Sequence, residues 1–377
     1  MTSELIINLA AISENIQRIR SHLPAGTRIM AVLKGGTYGI GRPVEMANRL
    51  RECGVDIFGF AFVDEAAELR DAGIQEDLFV LMPRPDEASK ARGLDLQVAA
   101  SDMRTLKAYE KSGPVKIHLN INTGMNRLGC LPHEAPLLAE YIQASPNLKL
   151  EGVMSHLAGS EDPAHDAFTL QQIQVMIAMI SSLKEAGVTF PWTHISNSAG
   201  AARFARPEFN MVRIGLIMYG IHLSRQMRQI LPLKPALTLK SRIAAINRLN
   251  KNDSVSYGRT YKAPKDNTLV AVVPLGYFDG LHRCYSNRAE VLVKGRKAKI
   301  VGAVCMDFMM IDVTGISEVC VDDVVTIFGI DECGNEQTAE EFAASGGTIA
   351  HELITCMGPR IKRTFTQLPA PAFQVQP

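Results

Sequence analysis

The feature that most constrains the fold is an alternation between short apolar runs and longer amphipathic segments, which extends from residue 28 to residue 216. Runs rich in β-branched and aliphatic residues are typical of buried parallel strands, and the segments between them show helical periodicity. Helices are predicted at residues 42–53, 64–72 and 166–186. Eight runs are predicted as strands: 28–33, 57–62, 78–82, 96–99, 115–121, 150–154, 193–195 and 211–216.

Eight strand–helix repeats within residues 10–230 predict an α/β fold that begins with an N-terminal (β/α)8 TIM-type barrel. If one strand is absent, the same pattern favours an open, doubly wound sheet. Residues 1–9 are expected to form a strand that joins the C-terminal domain. A mostly β domain is predicted at 231–377, because the pattern changes to a period of two at 237–249, 268–275, 289–293, 298–312 and 324–328.

The composition points to a protein with a small-molecule ligand. Among the 377 residues, 40 Lys and Arg balance 39 Asp and Glu, so the net charge is +1. This balance gives no electrostatic reason to expect nucleic acid or a membrane as a partner. No export signal or membrane span is recognisable, so a cytoplasmic location is expected. The seven scattered cysteines are expected to be mostly buried thiols, and no metal site is expected.

The segment AVLKGGTYG at residues 31–39 places Lys34 at the end of a predicted strand, before a glycine-rich turn. The carboxyl ends of barrel strands face the active site, where apolar neighbours depress the pKa of a lysine and favour its nucleophilic form. Such a lysine can form a Schiff base. Taken alone, Lys34 is more often a solvated residue, and Tyr38 is as easily a packing residue as a phosphate ligand.

Two arginines lie close to the ends of predicted strands. Arg127, in a glycine-bounded loop, suits a two-point grip on a carboxylate, although a solvated loop arginine explains it equally well. Arg213 lies inside an apolar run, where an unpaired guanidinium would cost several kcal/mol. Its acceptor is therefore expected to be a carboxylate or a ring nitrogen.

Polar groups also follow the last three predicted strands. His156 can stack on a flat ring, and Asn197 and Ser198 can bind a phosphate. The backbone N–H groups of Gly215 and Leu216 lie where barrels often hold a phosphate. Singly, a core histidine and a helix cap are the commoner explanations for these side chains.

A family resemblance is carried by eight segments in order: AVLKGGTYG, NTGMNRLG, MSHLAG, ISNSAGAARF, NMVRIGLIMYG, SVSYGRTY, PLGYFDG and VGAVCMDFM. From about residue 5 to residue 360, the chain resembles alanine racemases, which use pyridoxal 5′-phosphate. Any one segment alone would be a weak signal, whereas eight in order make a chance match very unlikely.

The resemblance implies a two-base racemase that interconverts L- and D-alanine. Lys34 resembles the lysine that binds the cofactor covalently and serves as one base. Tyr257 resembles the second base, which the partner subunit contributes, so a homodimer with shared sites is implied. Arg213 matches the arginine that faces the ring nitrogen; a guanidinium donates to that nitrogen without protonating it, so the ring remains neutral.

Other positions match the family's binding residues. Arg127 resembles the arginine near the cofactor's phenolic oxygen and the substrate carboxylate. The remaining matches are the phosphate contacts Tyr38, Ser198, Gly215 and Leu216; the residues around the ring or behind the arginine, Leu81, His156 and Asn197; and the partner-supplied wall that limits side-chain size, Tyr277, Met306 and Asp307.

Several positions depart from the family pattern. Gly35-Gly36-Thr37 replaces residues of the Ala, Asn or Asp type, and Ile40 stands where a histidine is frequent. Asn120 replaces a lysine, often carbamylated, that orients the arginine matching Arg127. Cys356 aligns with a position where some members have a phosphate-binding tyrosine. These changes put cofactor affinity and substrate preference in doubt, since the catalytic residue types are kept.

Two alternatives to an alanine racemase follow from the same residues. Wall residues rather than the two bases set substrate size, so a racemase for another amino acid such as serine is one alternative. A non-catalytic pyridoxal phosphate carrier on the same barrel is the other, although such proteins usually lack the β domain that bears Tyr257. A decarboxylase would be expected to have a carboxylate where this chain has Arg213.

Overall fold

The computed structural model describes residues 3–367, which divide into two compact units. One unit consists of Ile16–Met218 and Leu223–Pro232, and the other of Tyr219–His222 with residues 3–15 and 233–367. The chain begins with strand β1 (Glu4–Asn8), which belongs to the second unit. Within residues 3–367, no helix is both long and apolar enough to cross a membrane.

The first unit is built on eight parallel strands, paired in the order β8-β7-β6-β5-β4-β3-β2-β9. The predicted barrel is therefore confirmed, and each predicted run overlaps one strand. The strands are β2 (Arg28–Val32), β3 (Ile57–Phe60), β4 (Asp77–Val80), β5 (Leu96–Ala100), β6 (Val115–Asn120), β7 (Leu148–Met154), β8 (Trp192–His194) and β9 (Met211–Ile214).

Helices separate these strands along the chain. The α-helices are Leu9–His22, Pro43–Glu52, Val63–Asp71, Ala88–Gly93, Met103–Ser112, Ala135–Ala144, Asp166–Glu185, Ser198–Arg203 and Arg225–Ile230. Short 3-10 helices lie at Pro85–Glu87, Pro132–Glu134, Pro163–His165 and Leu216–Tyr219.

The barrel strands are apolar because both of their faces are buried. All residues of β3 and β5 are buried. A core cluster draws one residue from each of six strands: Met30, Ile57, Phe79, Ala99, Met154 and Met211. The barrel is nearly closed, since the N–H of Arg213 in β9 donates to the carbonyl of Ser196, just after β8, over 3.0 Å.

The second unit contains a mostly antiparallel sheet with the order β11-β14-β17-β16-β15-β18-β10-β1-β20, and β19 pairs with β18. β1 lies between β10, its antiparallel neighbour, and β20, its parallel neighbour. The strands are β10 (Leu237–Arg242), β11 (Ala245–Leu249), β12 (Ser254–Val255), β13 (Tyr261–Lys262), β14 (Thr268–Val273), β15 (Glu290–Val293), β16 (Arg296–Ile300), β17 (Met309–Asp312), β18 (Val324–Ile330), β19 (Glu336–Gln337) and β20 (Lys362–Thr366).

The second unit differs from the sequence-based prediction in detail. The runs 237–249 and 298–312 each contain two strands, because the chain changes partner within them: β10 pairs with β18, whereas β11 pairs with β14. Helices Ala339–Ser345 and Ala350–Thr355 were not predicted. Short 3-10 helices lie at Tyr257–Arg259, Tyr277–Asp279 and Arg283–Tyr285.

The prediction that most cysteines are buried is wrong. All seven are free thiols, and Cys130 alone is fully buried. The exposed ones lie in short connections of the second unit, where side chains meet solvent: Cys284, Cys320 and Cys333.

Candidate active site

Lys34 is held at the mouth of the barrel by a left-handed turn that follows β2. Gly35, Gly36 and Thr37 have φ values of 63°, 58° and 55°, a conformation that glycine adopts without strain. The N–H of Gly35 donates to a carboxylate oxygen of Glu65 over 2.6 Å, which anchors the start of the turn. The turn therefore fixes the backbone that carries Lys34.

The Lys34 amine lies in a partly dehydrated, positively charged setting. Desolvation lowers the pKa of Lys34, and the positive charges of Arg127 and Arg213 lower it further, against the opposing carboxylate of Glu65. A lowered pKa increases the neutral fraction of the amine near neutral pH, which is the form that attacks carbonyl carbon and accepts protons.

A second group of residues forms a cradle after β9. The hydroxyl of Tyr38 would lie only 2.1 Å from a Cβ atom at Gly215, so this position requires glycine. The Ser198 hydroxyl accepts from the Gly215 N–H over 3.0 Å. The Leu216 N–H has no acceptor within the described residues. Two hydroxyls and a backbone N–H thus converge as donors, a set that suits a phosphate.

Arg213 is almost completely buried and donates five hydrogen bonds. Nη1 donates to Nδ1 of His194 over 2.6 Å and to the His194 carbonyl over 3.2 Å. Nη2 donates to the carbonyls of Ser155 and Ile195 and to Nδ1 of His156. Burial and the nearby Arg127 lower the pKa of Arg213 to about 9, which leaves it protonated at neutral pH.

Nε is the one nitrogen of the Arg213 guanidinium without an acceptor in the described part of the chain. The two terminal nitrogens are fully used by the protein. The sequence predicted an acceptor for Arg213, a carboxylate or a ring nitrogen, and the observed acceptors are backbone carbonyls and imidazoles. Nε remains available to a ligand's acceptor atom.

The other predicted residues of the barrel lie around this group or in its supporting structure. Leu81 packs on the core cluster, and Asn197 caps helix Ser198–Arg203 by accepting from the Gly200 N–H. Asn120 is buried at the end of β6. Arg127 is exposed and forms no hydrogen bond or ion pair with residues 3–367. A guanidinium near Lys34 with no protein partner is free to bind an anionic group.

Three of the predicted residues of the second unit, Tyr257, Tyr277 and Met306, are exposed, and the fourth, Asp307, is half-buried. Tyr257 is 76% exposed, and it lines a cavity of about 370 Å³ together with Tyr277, Arg283 and Cys305. Met306 is also exposed, in the loop that follows Cys305. The remaining predicted residue of that loop, Asp307, accepts a hydrogen bond from Arg360 over 2.7 Å.

Sequence reasoning missed the buried polar residues behind Arg213. Nε2 of His194 lies 2.8 Å from Nδ1 of His118, whose Nε2 lies 2.8 Å from Oε1 of Gln97. The signal that identified Arg213, a polar residue inside an apolar run, also applies to His118 and Gln97. No cluster of three or more His, Cys, Asp or Glu side chains that could hold a metal ion occurs between residues 3 and 367.

Comparisons with known proteins agree over both units. A family model described as "Alanine racemase, N-terminal domain" matches residues 7–223, and one described as "Alanine racemase, C-terminal domain" matches residues 236–365. The chain belongs to the alanine racemase family. Members of this family are pyridoxal-phosphate-dependent racemases, which are isomerases.

Individual relatives support the same assignment. The chain is 36% identical over 373 residues to an alanine racemase of Citrifermentans bemidjiense, a match that covers 95% of this chain and 97% of the relative. An alanine racemase from a D-cycloserine-producing Streptomyces lavendulae has a TM-score of 0.90 at 32% identity and 97% coverage of both chains. The alanine racemase of Bacillus anthracis with bound L-Ala-P has a TM-score of 0.88 at 34% identity, covering 97% of this chain and 95% of that one.

Proposed function

We propose that this chain interconverts L- and D-alanine with pyridoxal 5′-phosphate, as a homodimer in which Lys34 and Tyr257 of the partner subunit are the two bases. One observation carries the proposal: an amine with a lowered pKa, Lys34, lies at the mouth of a barrel in which Nε of Arg213 has no acceptor among residues 3–367. The partners of this protein are thus an amino acid and a second copy of the chain.

The donor set fits pyridoxal 5′-phosphate in three places. Lys34 would hold it covalently through Nζ, and Arg213 Nε would donate to its ring nitrogen. The hydroxyls of Tyr38 and Ser198 and the N–H of Leu216 would bind its phosphate. Burial raises the pKa of Tyr38, so its hydroxyl stays protonated and can donate a hydrogen bond. When bound, the cofactor supplies an electron sink that acidifies the α-hydrogen of an attached amino acid.

Racemisation requires one proton acceptor on each side of the α-carbon. The Lys34 amine would take or give the proton on one side, which its lowered pKa favours at neutral pH. The phenol of Tyr257 of the partner subunit would serve the other side. Arg127, exposed and unpaired in the part of the chain that the structure describes, would bind the substrate carboxylate and keep the pKa of Lys34 low.

Two further groups define the proposed site. His156 would lie against the cofactor ring while its Nδ1 accepts from Arg213 over 3.0 Å. Tyr277, Met306 and Asp307 of the partner subunit would limit the size of the substrate side chain, which favours alanine over larger amino acids.

Two measurements test this proposal. Borohydride reduction of the purified protein should abolish a visible absorption band and attach the label to Lys34, as located by peptide mapping. The value of kcat/KM should be higher for alanine than for serine, lysine or arginine in both directions. A label on another residue would refute the site, a serine preference would refute the substrate, and a labelled protein without any turnover would be a carrier.

A further inference from the structure

A continuous chain of buried hydrogen bonds runs from Arg213 through the interior of the barrel. It connects Arg213 of β9, His194 of β8, His118 of β6 and Gln97 of β5, with successive distances of 2.6, 2.8 and 2.8 Å. The four residues are at most 3% exposed. None of His194, His118 and Gln97 has a role in the reaction as described above. We therefore ask how these hydrogen bonds affect the position of the Arg213 guanidinium.

The direction of every bond in this chain is set by Arg213. A guanidinium only donates, so Nδ1 of His194 must accept. Burial and the charge of Arg213 lower the pKa of His118 to about 3 and that of His194 well below its usual range, so both rings are neutral. A neutral imidazole has one donor and one acceptor. His194 therefore donates from Nε2 to His118, and His118 donates from Nε2 to Oε1 of Gln97.

The surrounding packing prevents these rings from adopting another arrangement. A Cβ atom at Gly152 would lie 2.4 Å from Nδ1 of His118, so β7 admits the ring only because it carries glycine there. The pairing of β6 with β7 shifts register at this point, between Ile117 and His118. The ring of Phe79 packs against both imidazoles, with centroids 4.7 and 5.9 Å away.

We propose that Gln97, His118 and His194 are positioning residues that hold the Arg213 guanidinium with Nε directed at the cofactor ring. The reverse tautomer of His194 would aim an N–H at the guanidinium, so the whole chain must keep one direction. None of these three residues carries a negative charge that would neutralise Arg213. The carboxylate beside Gln97, that of Asp77, is paired with Arg28 over 2.9 Å. This inference rests on the proposed function, because it assumes that a ring nitrogen faces Nε.

The first test reads the tautomers of the wild-type holoenzyme. Nitrogen-15 NMR of histidine-labelled protein, assigned with single-histidine variants, should show His118 and His194 neutral, each with its proton on Nε2. A proton on Nδ1 of either ring, or an imidazolium at either position, would overturn the proposal. This readout needs no catalytic turnover.

The second test removes the last acceptor of the chain. Gln97→Met keeps the length of the side chain without its oxygen. Thr193→Val is the matched control: it deletes another buried hydroxyl bond, from Thr193 to the carbonyl of Glu208, next to His194 but outside the chain.

Gln97→Met should shift the absorption maximum of the bound cofactor and weaken cofactor binding on the order of tenfold, as expected when a bond that orients a charged group is lost. Thr193→Val should change neither. Equal effects of Gln97→Met and Thr193→Val, or no spectral change in Gln97→Met, would refute the positioning role. Failure of the racemase proposal itself would instead appear as a wild-type protein with cofactor bound and no turnover of alanine.

Discussion

Five consecutive residues after Lys34, residues 35–39, have positive φ, and their conformation explains one departure from the family pattern. Gly35 and Gly36 open the turn, and Thr37 and Tyr38 follow with φ of 55° and 60°. A side chain in the left-handed region costs roughly 1–2 kcal/mol, and glycine avoids that cost. The two glycines of this chain therefore relieve strain in a turn that residues with a Cβ build at higher cost.

Replacing Gly36 with alanine isolates this strain. A Cβ at Gly36 meets only the Gly41 Cα at 4.0 Å, so Gly36→Ala adds no steric clash. We expect the free energy of unfolding to fall by about 1 kcal/mol, measured by urea denaturation. Gly93→Ala is the control, because Gly93 ends a helix without positive φ and has open space around it; alanine there should not destabilise the protein. Equal changes in the free energy of unfolding for Gly36→Ala and Gly93→Ala would refute the proposed backbone strain at Gly36.

At the scale of single residues, the sequence predicted the charged residues of the candidate site. Lys34, Arg127 and Arg213 were recognisable because each is a charged residue within or shortly after an apolar run, where a charge requires a partner or a function. His118 and Gln97 were missed because their partners lie on other strands, and one sequence does not show which strands will be neighbours. Nε of Arg213, which lacks an acceptor among residues 3–367, was equally hidden, since that depends on five bonds that Arg213 donates to three backbone carbonyls and two imidazole rings.

At the scale of elements, a single arginine joins the loops that carry the proposed substrate wall. Arg360 donates to both carboxylate oxygens of buried Asp279, over 2.9 and 3.0 Å, and to Asp307 over 2.7 Å. Its guanidinium also stacks on Phe278, 4.5 Å from the ring centre. The N–H groups of Tyr277 and Phe278 donate to the carbonyls of Cys305 and Met306. Arg360 therefore fixes two loops against each other.

Removing this arginine should loosen the wall. We expect Arg360→Met to lower kcat/KM for alanine by about 10- to 100-fold, mainly through KM, because side chains that shape the site lose their fixed positions. Arg360→Lys, which keeps the charge without the two-point geometry, should recover part of the loss. The control is Lys362→Met, which removes an exposed lysine 3.5 Å from Glu4. Identical kinetics in Arg360→Met and wild type would contradict this role.

Secondary-structure elements were predicted correctly where buried strands form continuous apolar runs. They were not resolved where the chain changes its strand partner. β3 and β5 are buried on both faces, so their apolar runs were recognisable. The run 237–249 was predicted only as a stretch of period-two alternation. That alternation continues across the point at which β10 ends and β11 begins, so the change of partner there was not visible. Helix Ala339–Ser345 is only seven residues long, too short to show a helical period.

At the scale of the whole molecule, the buried histidines should make the protein sensitive to acid. His118 and His194 have lowered pKa values in the folded state, whereas in the unfolded chain they titrate near pH 6.5. Below that pH the unfolded state binds more protons, so stability falls with pH by up to about 1.4 kcal/mol per unit for each ring. Denaturation at fixed protein concentration between pH 7 and pH 5 measures the slope. In His118→Asn, the number of protons taken up on unfolding should fall by up to about one, and the slope of stability against pH should fall accordingly. An unchanged slope would mean that His118 is already charged in the native protein.

The proposed active site is shared between two subunits, and a mixed dimer tests this arrangement. Lys34→Ala and Tyr257→Phe should each abolish racemisation in their homodimers, since one base is then missing from every site. A heterodimer of the two variants, isolated with two different affinity tags, would contain one site that lacks both bases and one that has both. We therefore expect about half the wild-type kcat per dimer from this heterodimer. If both bases came from the same subunit, each site would lack one of them, and the heterodimer would be as inactive as its parents.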